Sequence, residues 1–279
     1  MFIKSVSPSK LKTYNECHAK YKFQYIDRLP QIFNENSNTD ALQYGQYIHR
    51  IFELGYECGT VEEIHQIAKD IRENYEFEGY GPKKIANCVN NFYEFNKSLS
   101  KTADVERKFE VEVDSFTLNG IIDRVIIGEE GGILVLDYKT SKRMSTPSEL
   151  YSDPQMLMYA FAAHNIYDVP YNKITLGHYY PTQDKLVTIR LPQGKVEQYI
   201  RQKVKEKVWE IRKRKKDQFR SMYNNFCPWC GFRGICDQFN SQPEIDKLLL
   251  ESEDAIAEAK AKNKAYWDEQ NKKEGEVPK

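Results

Sequence analysis

The stretch from Thr117 to Lys139, TLNGIIDRVIIGEEGGILVLDYK, constrains this chain more than any other part of it. Two β-rich runs, Thr117 to Ile127 and Gly132 to Lys139, are bounded by glycines and joined by the turn EEGG. That pattern reads as a hairpin. The second run, GILVL, is apolar throughout, which marks a central strand. Asp137 closes it, and the ends of buried strands are where active sites gather in α/β sheets.

The flanking sequence places this hairpin in a larger α/β arrangement. Ser7-Pro8 reads as an N-cap with proline at the first helical position. Leu11, Tyr14, Tyr21 and Tyr25 follow at helical spacing, with Cys17 on or beside the stripe, before a polar loop at 30–40. Amphipathic helices are expected near 41–57, 61–74 and 82–98, and an alternating strand at Lys108 to Val113. After the hairpin come a helix near 147–165, strands near 174–180 and 186–191, and a long helix near 194–218. The expected fold is a mixed β-sheet flanked by helices. One domain is expected over 1–240, with a helical insert at about 55–100 and a cysteine segment at 227–236. A polar tail, helical or disordered, is expected over 241–279.

Composition narrows the function classes. Forty-one basic and forty-one acidic residues cancel, but Arg201 to Arg220 holds ten Lys or Arg against three acids. A neutral total thus leaves room for a basic face. No run of about 18 apolar residues occurs, and the N-terminus lacks a continuous apolar core, so no membrane association is expected and the chain reads as cytoplasmic. In that setting six cysteines do not suggest a disulfide framework.

Asp137 and Lys139 are two apart on a strand and share one face, with Tyr138 pointing the other way. The Tyr138 backbone carbonyl can still face a metal bound near Asp137. An in-register hairpin brings Asp123 close to Asp137. Paired carboxylates raise each other's pKa unless a cation sits between them, and oxygen ligands of this kind suit Mg²⁺ or Mn²⁺. Hydrolysis of a phosphodiester needs an oriented water and stabilised charge, and an amine such as Lys139 beside a metal serves both. Taken alone, Asp-x-Lys on a strand is usually a solvated pair.

The set as a whole resembles the RecB-like branch of the PD-(D/E)XK nuclease superfamily. Gly45 and His49 (GQYIH), Gly120 and Asp123 (GIID), Asp137 and Lys139 (DYK), and Gln155 and Tyr159 (QMLMY) follow in the order of that branch. The resemblance spans roughly residues 5–240 and implies the restriction-endonuclease-like fold. It implies His49, Asp123, Asp137 and the Tyr138 carbonyl as metal ligands, and Asp123, Asp137, Lys139, Gln155 and Tyr159 as catalytic. Gln155 and Tyr159 would position the lysine or a phosphate. Ile122-Asp123 stands where the superfamily's name has Pro-Asp, as is common in this branch. Gly45, one turn before His49, would let that helix approach the sheet. Glu53 is a candidate partner for the His49 ring, and Glu110 a weak candidate for facing the site.

Cys227, Cys230 and Cys236 form C-x2-C-x5-C, one thiolate short of a closed shell, and Cys17 is the natural fourth. Cys58 and Cys88 read as buried small residues. Spacing alone leaves zinc and an iron–sulfur cluster even. The layout resembles that of the nucleases of CRISPR adaptation and the AddB-type helicase–nuclease subunits, which implies a structural 4Fe–4S cluster joining the two ends of the domain.

On the helix near 194–218, Arg201, Lys205, Arg212 and Lys213 are candidates for phosphate contact, and Tyr179 and Tyr180 for base stacking. The expected function is a Mg²⁺- or Mn²⁺-dependent deoxyribonuclease, an exonuclease on single-stranded DNA or DNA ends. A catalytically silent iron–sulfur scaffold in recombination or CRISPR adaptation is the alternative. No helicase P-loop occurs, so a helicase or recombination partner would be a separate chain.

Overall fold

The computed structural model describes residues 3–31, 40–100 and 102–262. The chain forms two compact units: Phe2–Pro8 with Thr39–Lys213, and Ser9–Asn38 with Arg214–Lys279.

The larger unit is built on one mixed sheet of β1 (Ser5–Val6), β2 (Thr102–Val113), β3 (Phe116–Ile127), β4 (Ile133–Tyr138), β5 (Ile174–Tyr180) and β6 (Lys185–Ile189). β2 runs antiparallel along one edge of β3. The other edge of β3 is divided: β1 pairs in parallel near its start, at Thr117 and Leu118, and β4 pairs antiparallel at its end, from Arg124 to Ile127. β5 joins β4 in parallel and β6 closes the sheet antiparallel. The turn between β3 and β4 is the expected one. Glu130 and Gly131 take left-handed φ of 56° and 73°, and the Gly128 amide donates to the Gly132 carbonyl at 2.8 Å.

Helices cover both faces. The helix Pro154–Tyr167 is buried from Met156 to Ala163 and packs across the sheet. On the opposite face, Asp40–Gly55, Val61–Ile71 and Pro82–Lys97 bury Tyr44, Ile48, Phe52, Ile64, Val89 and Phe92 against Tyr138 and Tyr179. Tyr138 and Tyr179 are partners in the β4–β5 register, which fixes that face. Asp137 and His178, one residue earlier on each strand, therefore turn to the Pro154–Tyr167 side.

The helix expected at 147–165 is two helices, Pro147–Tyr151 and Pro154–Tyr167. Pro154 disfavours helical backbone at Asp153, whose carboxylate instead caps the second helix by accepting from the Gln155 amide. The helix expected at 194–218 runs Gln193–Gln198, a π-turn at Tyr199–Val204, then Lys205–Lys213, and stops there. In the smaller unit, the helix starting at Pro8 ends at Glu16. Cys17 takes extended backbone (φ −161°, ψ 119°) and caps the next helix, His18–Tyr21. Most of the loop expected at 30–40 lies outside the described residues, as does the tail beyond 262. The described tail opens on the helix Gln242–Glu251. Among the described residues no helix is long and apolar enough to cross a membrane.

Candidate functional site

One row of side chains crosses four strands of the larger unit. In the β2–β3 ladder Val105 faces Arg124 and Arg107 faces Ile122, so Glu106 lies across from Asp123. Continuing the β3–β4 register one step past Arg124 and Leu136 sets Asp123 across from Asp137. Asp137 is paired with His178 in the β4–β5 register. The ladder itself stops before Asp123, because the Tyr138 amide donates to the Asp123 carboxylate at 2.7 Å.

His49 reaches this row from the helix Asp40–Gly55. Its Nε2 donates to the Tyr138 carbonyl at 2.9 Å, and its Nδ1 lies 3.5 Å from Asp123 Oδ2. Gly45 one turn earlier makes the approach possible: a Cβ there would stand 3.3 Å from Thr140 Oγ1. Ligand atoms of His49, Glu106 and Asp123 all lie within 4.8 Å of one another. With Nε2–H given to Tyr138, the His49 ring turns its Nδ1 to the Asp123 carboxylate. Three acceptor groups so close need a proton or a cation among them. Burial, and after it the charge of Asp137, push Asp123 up to about 6. Burial, and then Asp123, push Glu106 up to about 7.

Lys139 and Gln155 close the other side. Lys139 Nζ is 2.5 Å from Asp137 Oδ2 and donates to Gln155 Oε1 at 3.2 Å. Gln155 Nε2 donates to Asp137 Oδ1 at 2.8 Å and to the Tyr159 hydroxyl at 2.8 Å. The Tyr159 hydroxyl donates to the Ile121 carbonyl at 2.6 Å. Burial works to lower the Lys139 pKa, but Asp137's charge and hydrogen bond outweigh it and raise it, so the amine is cationic here. Gln155 thus fixes both members of Asp-x-Lys from one turn of a buried helix.

His49, Asp123, Asp137, Tyr138, Lys139, Gln155 and Tyr159 are therefore brought together. Glu53 is not part of the group; it pairs with Arg50 at 2.6 Å. Glu110 is exposed and faces Asn119. Two members went unread in the sequence. Glu106 was within reach, since counting back through a tight turn at Asp114-Ser115 sets it across from Asp123. His178 was not, because a parallel register set through a crossover helix leaves no mark in sequence. Its Nε2 is buried 3.7 Å from Asp137 Oδ2, and burial holds its pKa down against Asp137's charge.

In the smaller unit, Cys17, Cys227, Cys230 and Cys236 line one cavity. Each sulfur accepts a backbone amide: Cys17 from Met222 at 3.4 Å, Cys227 from Asn224 at 3.3 Å, Cys230 from Phe232 and Cys236 from Gln238. Such donors suit sulfurs that carry negative charge. As free thiols Cys230 and Cys236 resist it, since burial raises both, Cys236 to about 11. Cys88 is buried as expected, and Cys58 is partly buried.

The basic helix is largely engaged within the chain. Lys205 and Arg201 reach Asp114 at 2.7 and 3.5 Å. Arg212 donates to the Ile3 and Ser115 carbonyls at 2.8 and 2.7 Å. Lys213 lies 5.9 Å from the Trp209 ring. Asp114 and Ser115 form the turn opening the β2–β3 hairpin, nine and eight positions before Asp123, on the order of 25 Å along the strand. Tyr179 and Tyr180 are each 1% exposed, so neither offers a free face for stacking. Their hydroxyls are also occupied, Tyr179's by Asn91 and Asp184 and Tyr180's by the Ser145 amide.

A mixed sheet carrying carboxylates and a lysine on its central strands defines a class, and the sequence profile of the PD-(D/E)XK nuclease superfamily matches residues 5–237. The chain belongs to that superfamily. Among its relatives is one of the subunits of the ATP-dependent helicase/deoxyribonuclease of Streptococcus agalactiae, 25% identical over 175 residues, 55% of this chain and 16% of that protein. The namesake from Streptococcus equi subsp. zooepidemicus is 27% identical over 180 residues, 58% of this chain and 16% of that one. The chain thus spans about a sixth of the length of these relatives. A solved structure described as a candidate exonuclease from Eubacterium rectale aligns over 75% of this chain and 81% of its own at 14% identity, with a TM-score of 0.47.

Proposed function

We propose that this chain is a Mg²⁺- or Mn²⁺-dependent deoxyribonuclease that acts on single strands or DNA ends. The observation that carries this reading is the Glu106–Asp123–Asp137 row with a cationic Lys139 clamped beside it by Gln155. The donor set fits a hard divalent ion: three carboxylates, one imidazole and the Tyr138 carbonyl, with oxygen dominant. His49, Asp123, Asp137 and the Tyr138 carbonyl would hold the ion, with Glu106 completing the group. When bound, it would supply a Lewis acid for the scissile phosphate.

The chain's own residues do the rest. Lys139 brings a fixed positive charge to where negative charge grows on the phosphoryl group. Gln155 and Tyr159 hold that amine and Asp137 in one geometry, so little reorganisation accompanies reaction. Burial of Asp123 and Asp137 keeps bulk water from screening either group.

The four cysteines line one cavity, and each sulfur accepts a backbone amide, which fits thiolates that hold a metal centre. Their C-x2-C-x5-C spacing with one remote cysteine, like that of the AddB-type subunits, favours a 4Fe–4S cluster there over zinc. By analogy with the helicase subunits it matches, the chain would work beside a helicase carried on another protein.

The test is digestion of end-labelled single- and double-stranded DNA with Mg²⁺ or Mn²⁺. Wild type should shorten the strand. Lys139→Ala should be slower by about 10²–10³-fold, the usual cost of removing one preorganised stabiliser of transition-state charge. Digestion by neither protein would overturn the reading in favour of a catalytically silent DNA-binding scaffold, and equal digestion by both would overturn the role given to Lys139 in this site.

A further inference from the structure

Cations free to meet a nucleic acid also lie beyond the helix where the sequence concentrates them. From Arg214 to Phe239 there are five Lys or Arg against Asp217 and Asp237. Lys215, Lys216, Arg220 and Arg233 are exposed, and none forms an ion pair among the described residues. The same segment exposes four aromatic rings: Tyr223 at 72%, Trp229 at 59%, Phe226 at 58% and Phe239 at 36%.

These rings are arranged rather than scattered. Phe226 and Trp229 stand three apart on the 3₁₀ turn Cys227–Trp229, where side chains at that spacing project to one side. Tyr223 and Phe239 have ring centroids 6.3 Å apart, and the Arg233 guanidinium lies 4.4 Å from the Phe239 ring centre. Phe226 and Phe239 also line the cysteine cavity, whereas Tyr223 and Trp229 do not. Shielding that cavity accounts for two of the rings and leaves the two most exposed unexplained.

Exposed rings among cations that form no ion pair match the chemistry of an unpaired nucleic-acid strand: bases stack on the rings and phosphates meet the guanidinium and ammonium groups. A duplex hides its base faces and gains nothing from the rings. The core of a protein–protein interface is depleted in charge, and this surface is not. We propose that Tyr223, Phe226, Trp229 and Phe239, with Arg220 and Arg233, form a stacking surface for unpaired nucleotides of single-stranded DNA. This rests on the nuclease reading and deepens it by naming the form of substrate the chain holds.

The experiment reads binding apart from cleavage. The full chain carrying Lys139→Ala, without added divalent ion, is titrated into fluorescein-labelled dT20 and followed by anisotropy. On that background, Trp229→Leu and Tyr223→Leu should each weaken binding roughly 5- to 100-fold, while Trp229→Phe keeps a ring face and stays within about twofold. A duplex of equal length should show no loss with Trp229→Leu. Unchanged affinity of both leucine variants for dT20 would overturn the proposal. So would equal losses for strand and duplex, or a photo-crosslinker at position 229 that captures a protein while dT20 affinity stays unchanged. A chain that binds dT20 through these rings but cleaves nothing would sink the nuclease reading and leave the surface standing. One that cleaves but binds without the rings would do the reverse.

Discussion

Glu106 concentrates the tension of the site in one residue. It holds φ 48°, a left-handed conformation that costs a non-glycine residue about 1–2 kcal/mol, in the middle of a strand. Burial and the charge of Asp123 then raise its carboxyl to about 7. Two unfavourable features at one position suggest a function that sets them there. Glu106→Gln removes the charge and keeps the shape. In the metal-free protein at pH 8 it should raise the melting temperature by a few degrees, because a half-buried charge beside Asp123 is relieved. It should also weaken Mn²⁺ binding about 10- to 100-fold, measured by titration calorimetry, the range seen when a polar group around a metal is lost. A variant that melts earlier and binds Mn²⁺ as wild type would place Glu106 outside the cation site. The sequence declared Asp123, Asp137 and Lys139 readily, because Asp-x-Lys is local and a strand alternates its side chains. Gln155 and Tyr159 were legible for a similar reason, being one helical turn apart. Glu106 depends on a register set across the turn at Asp114-Ser115, which its own neighbours in the sequence do not mark.

At the scale of elements, the β2–β3 hairpin positions the site through a glycine. Gly120 pairs with Phe109, and a Cβ at Gly120 would stand 2.7 Å from the Phe109 ring. The Phe109 ring occupies that gap and meets Tyr159 edge-on at 6.2 Å. Tyr159 in turn accepts from Gln155, which holds Asp137 and Lys139. Gly120→Ala should therefore overpack the hairpin, costing about 1–3 kcal/mol and lowering the melting temperature by roughly 3–10 °C. It should reduce cleavage as well, since the ring cannot move without Tyr159. Phe109→Leu in the same chain should return part of the stability, and strictly additive losses in the double variant would mean that the two positions are uncoupled. The sequence marked Gly120 as part of a motif without saying why a glycine stood there. The hairpin itself was plain, from alternation and glycine-bounded turns. The long helices end earlier than their periodicity suggests, at Asp153-Pro154 in one case and at Lys213 in the other. The first break has a clear cause in the proline. For the π-turn at Tyr199–Val204 we have no physical account.

For the whole molecule, the buried acids of the larger unit set how stability responds to pH and metal. Asp123 moves from 3.8 up to about 6, by burial and then Asp137, and Glu106 from 4.5 up to about 7, by burial and then Asp123. Both therefore bind protons more tightly folded than unfolded. The stability they contribute is complete below about pH 4 and is lost as pH rises through about 7. Lys139 acts with the same sign but at higher pH, since its raised pKa favours the folded state throughout that range and leaves the slope to the acids. The metal-free protein should accordingly melt several degrees lower at pH 8 than at pH 5. A divalent ion replaces the lost protons, so Mn²⁺ should raise the melting temperature strongly at pH 8 and little at pH 5. Glu106→Gln should flatten the metal-free profile. The comparison is made anaerobically, with the cysteine site kept in one state. A melting temperature that stays level from pH 5 to pH 8 without metal, or a Mn²⁺ effect equal at both, would mean that the acids are not the cation's ligands.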